Sequence, residues 1–187
     1  MPHFASLTHQ FLVAMPTLDD PNFSRTVTLI CEHTPDGAMG IVINRATDLH
    51  LRDVLAQMEI PATESRHLDM PVHVGGPVQT NRGFLIHEPL GDWDSTLHVT
   101  ESLGVTASRD VLEALARNQG PDLCLLALGY AGWGAGQLEN EIGANSWLHV
   151  AADRRILFDL PIDQRWNEAV RSLGVDLGSL SNQAGHA

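Results

Sequence analysis

A single mixed α+β domain is the fold class that this 187-residue chain predicts, and three observations lead there. Short β-branched and apolar runs recur between clusters of Gly, Pro and Asp. Amphipathic stretches are scattered among them without the strict alternation of a doubly wound α/β fold. One continuous apolar run, DLCLLAL at 122–128, enters GYAGWGAGQLENE at 129–141, where glycines at 129, 132, 134 and 136 read as a tight turn between a strand and a helix.

The elements follow in order. Residues 10–15 (QFLVAM) read as a strand broken by Pro16 and Pro21. Residues 26–32 and 39–44 form a β-hairpin whose turn carries Thr34, Pro35, Asp36 and Gly37. Leu51, Val54, Leu55 and Met58 repeat on one helical face, with Asp48 as the expected cap and Pro61 beyond the end. Strands are expected at 72–78, running into a Gly75-Gly76-Pro77 turn, at 83–88 and at 95–100. Ser108 opens a second helix with Val111, Leu112, Leu115 and Ala116 inward, closed by Gly120 and Pro121. After 122–128, expected to be covered on both faces, come the glycine turn and a short helix, then two strands at 146–151 and 155–158. Asp163 is the expected cap of a last helix with Trp166, Ala169, Val170 and Leu173 inward. The tail from Asp176 is expected to pack little, leaving a core of about 8–175.

Composition closes several function classes. The chain carries 23 acids against 11 basic residues, all of them arginine, for a net charge of −12, and no quarter of it is basic. Affinity for nucleic acid comes largely from neutralising phosphates, so direct binding is disfavoured. Without lysine there is neither a Schiff-base nucleophile nor a P-loop. No apolar run has the length of a membrane span and no secretory leader is legible, so the expected location is cytoplasmic. Cys31 and Cys124 sit in apolar runs and read as reduced core residues.

Spacing decides among the candidate sites. The GxGxxG fingerprint fails because Gln137 stands where the third glycine belongs. Amides at the helix start, with Gln137 and the walls Tyr130 and Trp133, fit a carboxylate or other small anion, whereas a purely structural role for the glycines is the competing reading. Glu139 and Glu141 are two apart on a helix and point about 200° from each other, so they are not a facing acid/base pair; one is expected to contact the glycine segment and the other to face solvent. His33, His73, His87, His98 and His149 occur singly and are expected on the surface, and no metal motif or cofactor is implied. Candidate ligand- or partner-binding residues are Asn44, Arg45, Gly75, Gly76, Pro77, Gly129, Tyr130, Gly132, Trp133, Gly136, Gln137, Glu139, Glu141 and Asn145, expected to outline one pocket mouth if their turns converge.

Five pieces in order, PNFSRTVTLICEH, GAMGIVINR, GGPV, GYAGWGAGQLENEI with ANSW, and ILFDLP, resemble the bacterial YqgE/AlgH family over nearly the whole chain. The resemblance implies one α+β domain with a split β-sheet curled into a pseudo-barrel and flanked by helices. It supplies no catalytic set to carry over. Some members are named as transcriptional regulators through an association with alginate production, and their genes often neighbour one for a Holliday-junction resolvase-like nuclease. The leading expectation is a regulatory or adaptor domain acting through a protein partner or a small anionic ligand at residues 129–141. Next comes an enzyme, a hydrolase or transferase, using Glu139 or Glu141 with a histidine brought near by the fold. Direct DNA binding through Arg154, Arg155, Arg165 and Arg171 ranks last.

Overall fold

The computed structural model describes residues 4–62 and 65–174, so the tail from Asp176 lies outside the described residues. Strands β1 (Gln10–Ala14), β2 (Val27–Thr34) and β3 (Gly37–Val42) form an antiparallel meander. The β2–β3 hairpin closes at the Thr34–Gly37 pair, as its Pro-Asp chemistry predicts. Then come β4 (Ala46–His50), α1 (Leu51–Gln57), β5 (Pro71–Val74), β6 (Val78–Glu88), β7 (Thr96–His98), β8 (Gly104–Thr106) and α2 (Arg109–Ala116). The chain continues with β9 (Leu123–Gly134), α3 (Gln137–Gly143), β10 (Trp147–Ala151), a π-helical turn at Arg155–Asp159 and α4 (Arg165–Ser172).

The strands run β10-β1-β2-β3-β9-β6-β8-β7, with β5 branching off β9 and carrying β4. β9 is the hinge of this arrangement. One of its edges pairs with β6; the other pairs in parallel with β5 over Leu126–Leu128 and then antiparallel with β3 from Ala131 to Gly134. The pairing changes hands at Gly129, whose φ is +79°. Gly75 wedges in at the same point, its N–H donating to Leu128 O at 2.7 Å and its carbonyl accepting from Val42 N at 2.8 Å. The result is a mostly antiparallel sheet, split at β5 and curled into a half-barrel.

Three apolar clusters fill it. Leu125 and Ala127 of β9 join Phe11, Leu29, Ile41, Ile86 and the residues Ile156, Trp166 and Val170 in the largest. Leu126 faces the opposite way, into the cluster under α1 and α2. The apolar run at 122–128 is therefore covered on both faces, the reason it shows no period-two alternation. A third cluster, with Trp133, Leu138 and Trp147, lies under α3.

Several expectations are corrected. Residues 129–134 are strand, and only two residues separate β9 from α3; Gly129 admits the closely packed backbone of Gly76, and it is Gly136, left-handed at the start of α3, that turns the chain. Residues 155–158 form a π-helical turn whose Ile156 and Leu157 enter the core, so an apolar run of strand length was buried by another geometry. Asp48 belongs to β4; the N-cap of α1 is His50, whose N–H donates to Asp53 Oδ2 at 2.8 Å. Asp163 sits in a 3₁₀ turn (Ile162–Gln164) ahead of α4. Strands β4 and β8 escape the sequence reading because a mostly exposed five-residue strand and a three-residue strand carry too few residues to show a period.

Candidate functional site: an open groove and a partly open cavity on either side of β6

The predicted turns converge, but as packed backbone. A Cβ on Gly76 would stand 2.1 Å from Tyr130 C, and one on Gly75 would stand 2.3 Å from Gly129 O. No atom fits between these glycines, so Gly75, Gly76 and Gly129 are a structural lock and not the mouth of a pocket. Pro77 is exposed beside them. Asn44 and Arg45 are also structural. The Asn44 side chain accepts from Val27 N at 2.8 Å and donates to Arg25 O at 3.0 Å, while the Arg45 guanidinium donates to the carbonyls of Pro21 and Ser24 at 2.6 and 2.9 Å. Together they pin the loop between β1 and β2.

α3 places its two glutamates as the spacing requires. Glu141 Oε1 accepts the indole N–H of Trp133 at 3.2 Å and that of Trp147 at 3.0 Å, so this is the glutamate that contacts the glycine segment. Glu139 is largely exposed and meets His33. His33 Nδ1 accepts from Leu7 N at 2.9 Å, which places the ring proton on Nε2, where it is donated to Glu139. The slight burial of Glu139 pushes its carboxyl pKa up, but its own backbone N–H and His33 outweigh this and hold it below the usual value. Gln137 Oε1 accepts from Gly134 N at 3.0 Å, and so removes an amide that an anion at this helix start would use. Gly136 and Asn145 mark the two ends of α3 with left-handed backbone, φ +73° and +61°.

Three histidines expected on the surface are buried: His33, His73 and His87. His73 Nδ1–H donates to Leu126 O at 3.1 Å and Nε2 accepts from Arg165 at 3.3 Å. Burial, with the nearby Arg165 cation, pulls its pKa down to about 4 against the opposing pull of the Leu126 carbonyl. Burial likewise lowers Arg165 to about 10, and its guanidinium bonds the carbonyls of Ile43 and Leu160. His87 Nδ1–H donates to Pro89 O at 2.9 Å and Nε2 accepts from Thr106 Oγ1 at 2.6 Å; burial lowers its pKa too. The alternating pattern of a strand puts a histidine on the buried face as readily as on the open one, and the sequence reading had no means of telling them apart.

The arginine set expected for DNA does not form a free basic face. Arg165 is buried, Arg155 and Arg171 both reach Glu168, and Arg154 pairs with Glu88.

Two concavities lie on either side of β6. The first is an open groove of about 620 Å³ that includes Tyr130, Gly132 and Trp133 from the predicted set, joined by Met39, Phe84 and Arg82 and rimmed by Glu32 and Asp36. Tyr130 packs edge-on against Phe84, with ring centroids 5.7 Å apart. Both Tyr130 and Met39 lie against the main core cluster, so the groove continues the apolar side of the half-barrel out to solvent. The second concavity is a cavity of about 580 Å³ between α1, α2 and the sheet, and Arg82 lines this one as well. A bulge in β6 puts Arg82 there. Between the Val78–Tyr130 and Gly83–Leu128 pairs, β6 advances five residues while β9 advances two. Sequence reading missed Arg82; its one signal was the polar stretch QTNR interrupting two apolar runs.

Among the described residues no group of three or more His, Cys, Asp or Glu is placed to hold a metal ion, and no helix is long and apolar enough to cross a membrane.

Comparison with known proteins places the chain. An AlgH-like family model matches residues 11–178. A UPF0301 protein of Thioalkalivibrio sulfidiphilus is 57% identical over 183 residues, 98% of each chain, and one of Methylococcus capsulatus is 53% identical over 180 residues, 96% of each. The solution structure of the AlgH protein from Pseudomonas aeruginosa superposes with a TM-score of 0.80 at 48% identity over 100% of both chains. The crystal structure of a Corynebacterium diphtheriae protein shares the fold, with a TM-score of 0.74 at 20% identity over 97% of this chain and 94% of that one. With the family model spanning most of the chain, and the half-barrel and the relatives in agreement, this protein belongs to the AlgH-like, or YqgE/AlgH, family.

Proposed function

We propose that the chain is a cytoplasmic regulatory or adaptor domain that acts by engaging a protein partner at the open groove beside Tyr130. The observation that carries this reading is the lining: Met39, Phe84, Tyr130 and Trp133 offer aromatic and thioether surface next to Arg82, within a rim holding Glu32 and Asp36. Aromatic residues, Met and Arg are the types enriched where proteins meet, and a Tyr or Trp in a shallow groove is a usual anchor. The acidic rim selects a partner segment bearing a basic residue beside its apolar anchors. The overall charge of −12 favours such a partner over nucleic acid. Regulation of transcription would then be indirect, through the protein that this domain holds.

The test places a photo-crosslinking amino acid at Thr34, on the groove, and at exposed Glu101 as a control, in cells lacking the native copy. The expected result is a discrete adduct from Thr34 that disappears when Tyr130→Ala is added. Identical adducts from both positions, or one indifferent to Tyr130→Ala, would sink the reading.

A second reading, an enzyme, has one observation in its favour, the His33–Glu139 pair formed across the β2–α3 gap. It predicts that Glu139→Gln abolishes turnover while the fold persists.

A further inference from the structure

We propose that the partly open cavity between α1, α2 and the sheet is a binding site for a small uncharged molecule with an aliphatic body. It lies across β6 from the partner groove and does not depend on that groove's having a partner.

The cavity has a volume of about 580 Å³, within the range where small organic molecules are enclosed. Val54 and Met58 line it from the α1 side and Leu112 from α2, while Leu85, Leu126 and Leu128 of the sheet form the floor. All six belong to, or pack against, the core cluster under the two helices, so the cavity is a part of that core which the chain itself leaves unfilled. Arg109 of α2 donates to Met58 O, at the end of α1, at 3.0 Å, a bond that ties the helices across the gap. Leu49, 40% exposed, carries the apolar lining out to solvent. A water molecule is poorly held against such walls, since it needs several polar partners, and an aliphatic body that displaces it takes up the contacts the walls lack.

The polar groups of the lining set the charge of the occupant, because they already have partners within the protein. Thr106 Oγ1 donates to His87 Nε2 at 2.6 Å and meets Thr96 Oγ1 at 2.7 Å. Ser108 Oγ donates to Asp110 Oδ1 at 2.6 Å. Arg109 is held by Glu113, to which its Nε donates at 2.8 Å, as well as by the Met58 carbonyl. Arg82 reaches the lining, but both contacts of its guanidinium, Gln79 Oε1 at 3.3 Å and the Phe84 ring at 5.3 Å, belong to the groove on the other side of β6. The described lining holds no Asp or Glu. An ionic head of either sign would therefore enter without a free counter-charge and lose its hydration there. Gln57 and Asn81, both exposed, are the remaining polar side chains, and their amides suit a neutral hydroxyl or carbonyl as the polar end of the occupant.

The probes are octanol, octanoate, octylammonium and butanol, each titrated into the full chain, below its solubility or micelle limit, by calorimetry and by amide NMR. Saturable one-to-one binding of octanol is expected, with shifts at Gly83, Leu85, Thr106 and Val111 and none at Gly132 or Trp133 of the groove. Butanol, shorter by four methylenes, should bind about a hundredfold more weakly if the body is buried. Octanoate and octylammonium should both bind more weakly than octanol; if either binds as tightly, the assignment of an uncharged ligand is overturned. Gly83→Val should weaken octanol strongly by filling the cavity, because a Cβ at this lining position has open room, its nearest neighbour being Leu126 Cδ1 at 3.9 Å. Gly83→Ala, the smaller intrusion, should weaken it less. Octanol binding unchanged in both variants while their thermal unfolding stays cooperative, or shifts centred on the groove amides, would overturn the site. Absence of saturable octanol binding would overturn it equally.

Discussion

Glu141 takes the indole N–H of Trp133 at 3.2 Å on the same carboxylate oxygen that takes the N–H of Trp147 at 3.0 Å. Trp133 is the end of β9 and Trp147 the start of β10, so one side chain of α3 ties together two strands that never pair with each other. The indoles pack edge-on at 6.3 Å and are 7% and 2% exposed.

Removing that acceptor strands two buried donors. Glu141→Ala should cost roughly 2–4 kcal/mol in urea unfolding, because an unpaired buried N–H loses its water without replacement. Glu141→Gln retains an acceptor oxygen and should cost about 1 kcal/mol. Tryptophan emission should shift in the first variant and hardly in the second.

The glycines of β9 and its neighbours separate by their surroundings. Gly129→Ala puts a Cβ 2.5 Å from Gly76 O at a φ of +79°, so strain and overlap add and the loss should reach about 3 kcal/mol or more. Gly136 has nearly the same φ, +73°, but nothing within 4 Å of its Cβ position. Gly136→Ala should therefore lose only about 1–2 kcal/mol, the conformational part alone. Chemical denaturation of the two variants side by side checks the difference; equal losses would mean that the packed backbone at Gly129 contributes nothing.

Stability should fall on acidification below neutral pH. The unfolded chain protonates His73 near its ordinary value of 6.5, whereas the folded protein holds it neutral down to about 4. Between those values the unfolded state binds more protons, so stability drops as pH falls from about 6.5 to about 4, by roughly 3 kcal/mol from this residue. His87, also lowered by burial, acts in the same direction. His73→Gln should flatten the pH dependence of urea midpoints over this window, whatever it does to their level.

The two thiols should be inert in the native state. Burial pushes Cys31 and Cys124 up to about 12, so the thiolate is scarce at neutral pH. Iodoacetamide at pH 7.5 should label neither until denaturant is added, and labelling that tracks unfolding would confirm that access requires opening the core.

How far the sequence could be read depends on what each residue answers to. The β2–β3 hairpin and the α2 face were legible because local chemistry, Pro-Asp at a turn and a 3.6-residue apolar repeat, determines them. The resemblance to a known family carried the half-barrel. The glycines were recognised as special and misplaced in kind, because a glycine that lets backbone approach reads the same in sequence as one that turns the chain. Of the predicted site, Tyr130, Gly132 and Trp133 reach the groove, whereas Asn44, Arg45, Gly75, Gly76 and Gly129 hold the fold. Met39, Phe84 and Arg82 were missed. Their grouping depends on the β3–β9–β6 pairing and on a bulge, neither of which leaves a local trace.

The bulge in β6 also gives the groove its cation. Five residues of β6 cover the length that two of β9 span, and the extra chain carries Arg82 to Gln79 Oε1 and over the Phe84 ring, in a groove that also holds Glu32 and Asp36. A β6 kept in regular register would lack that extra chain, so one local irregularity of backbone supplies the positive charge of an otherwise acidic surface.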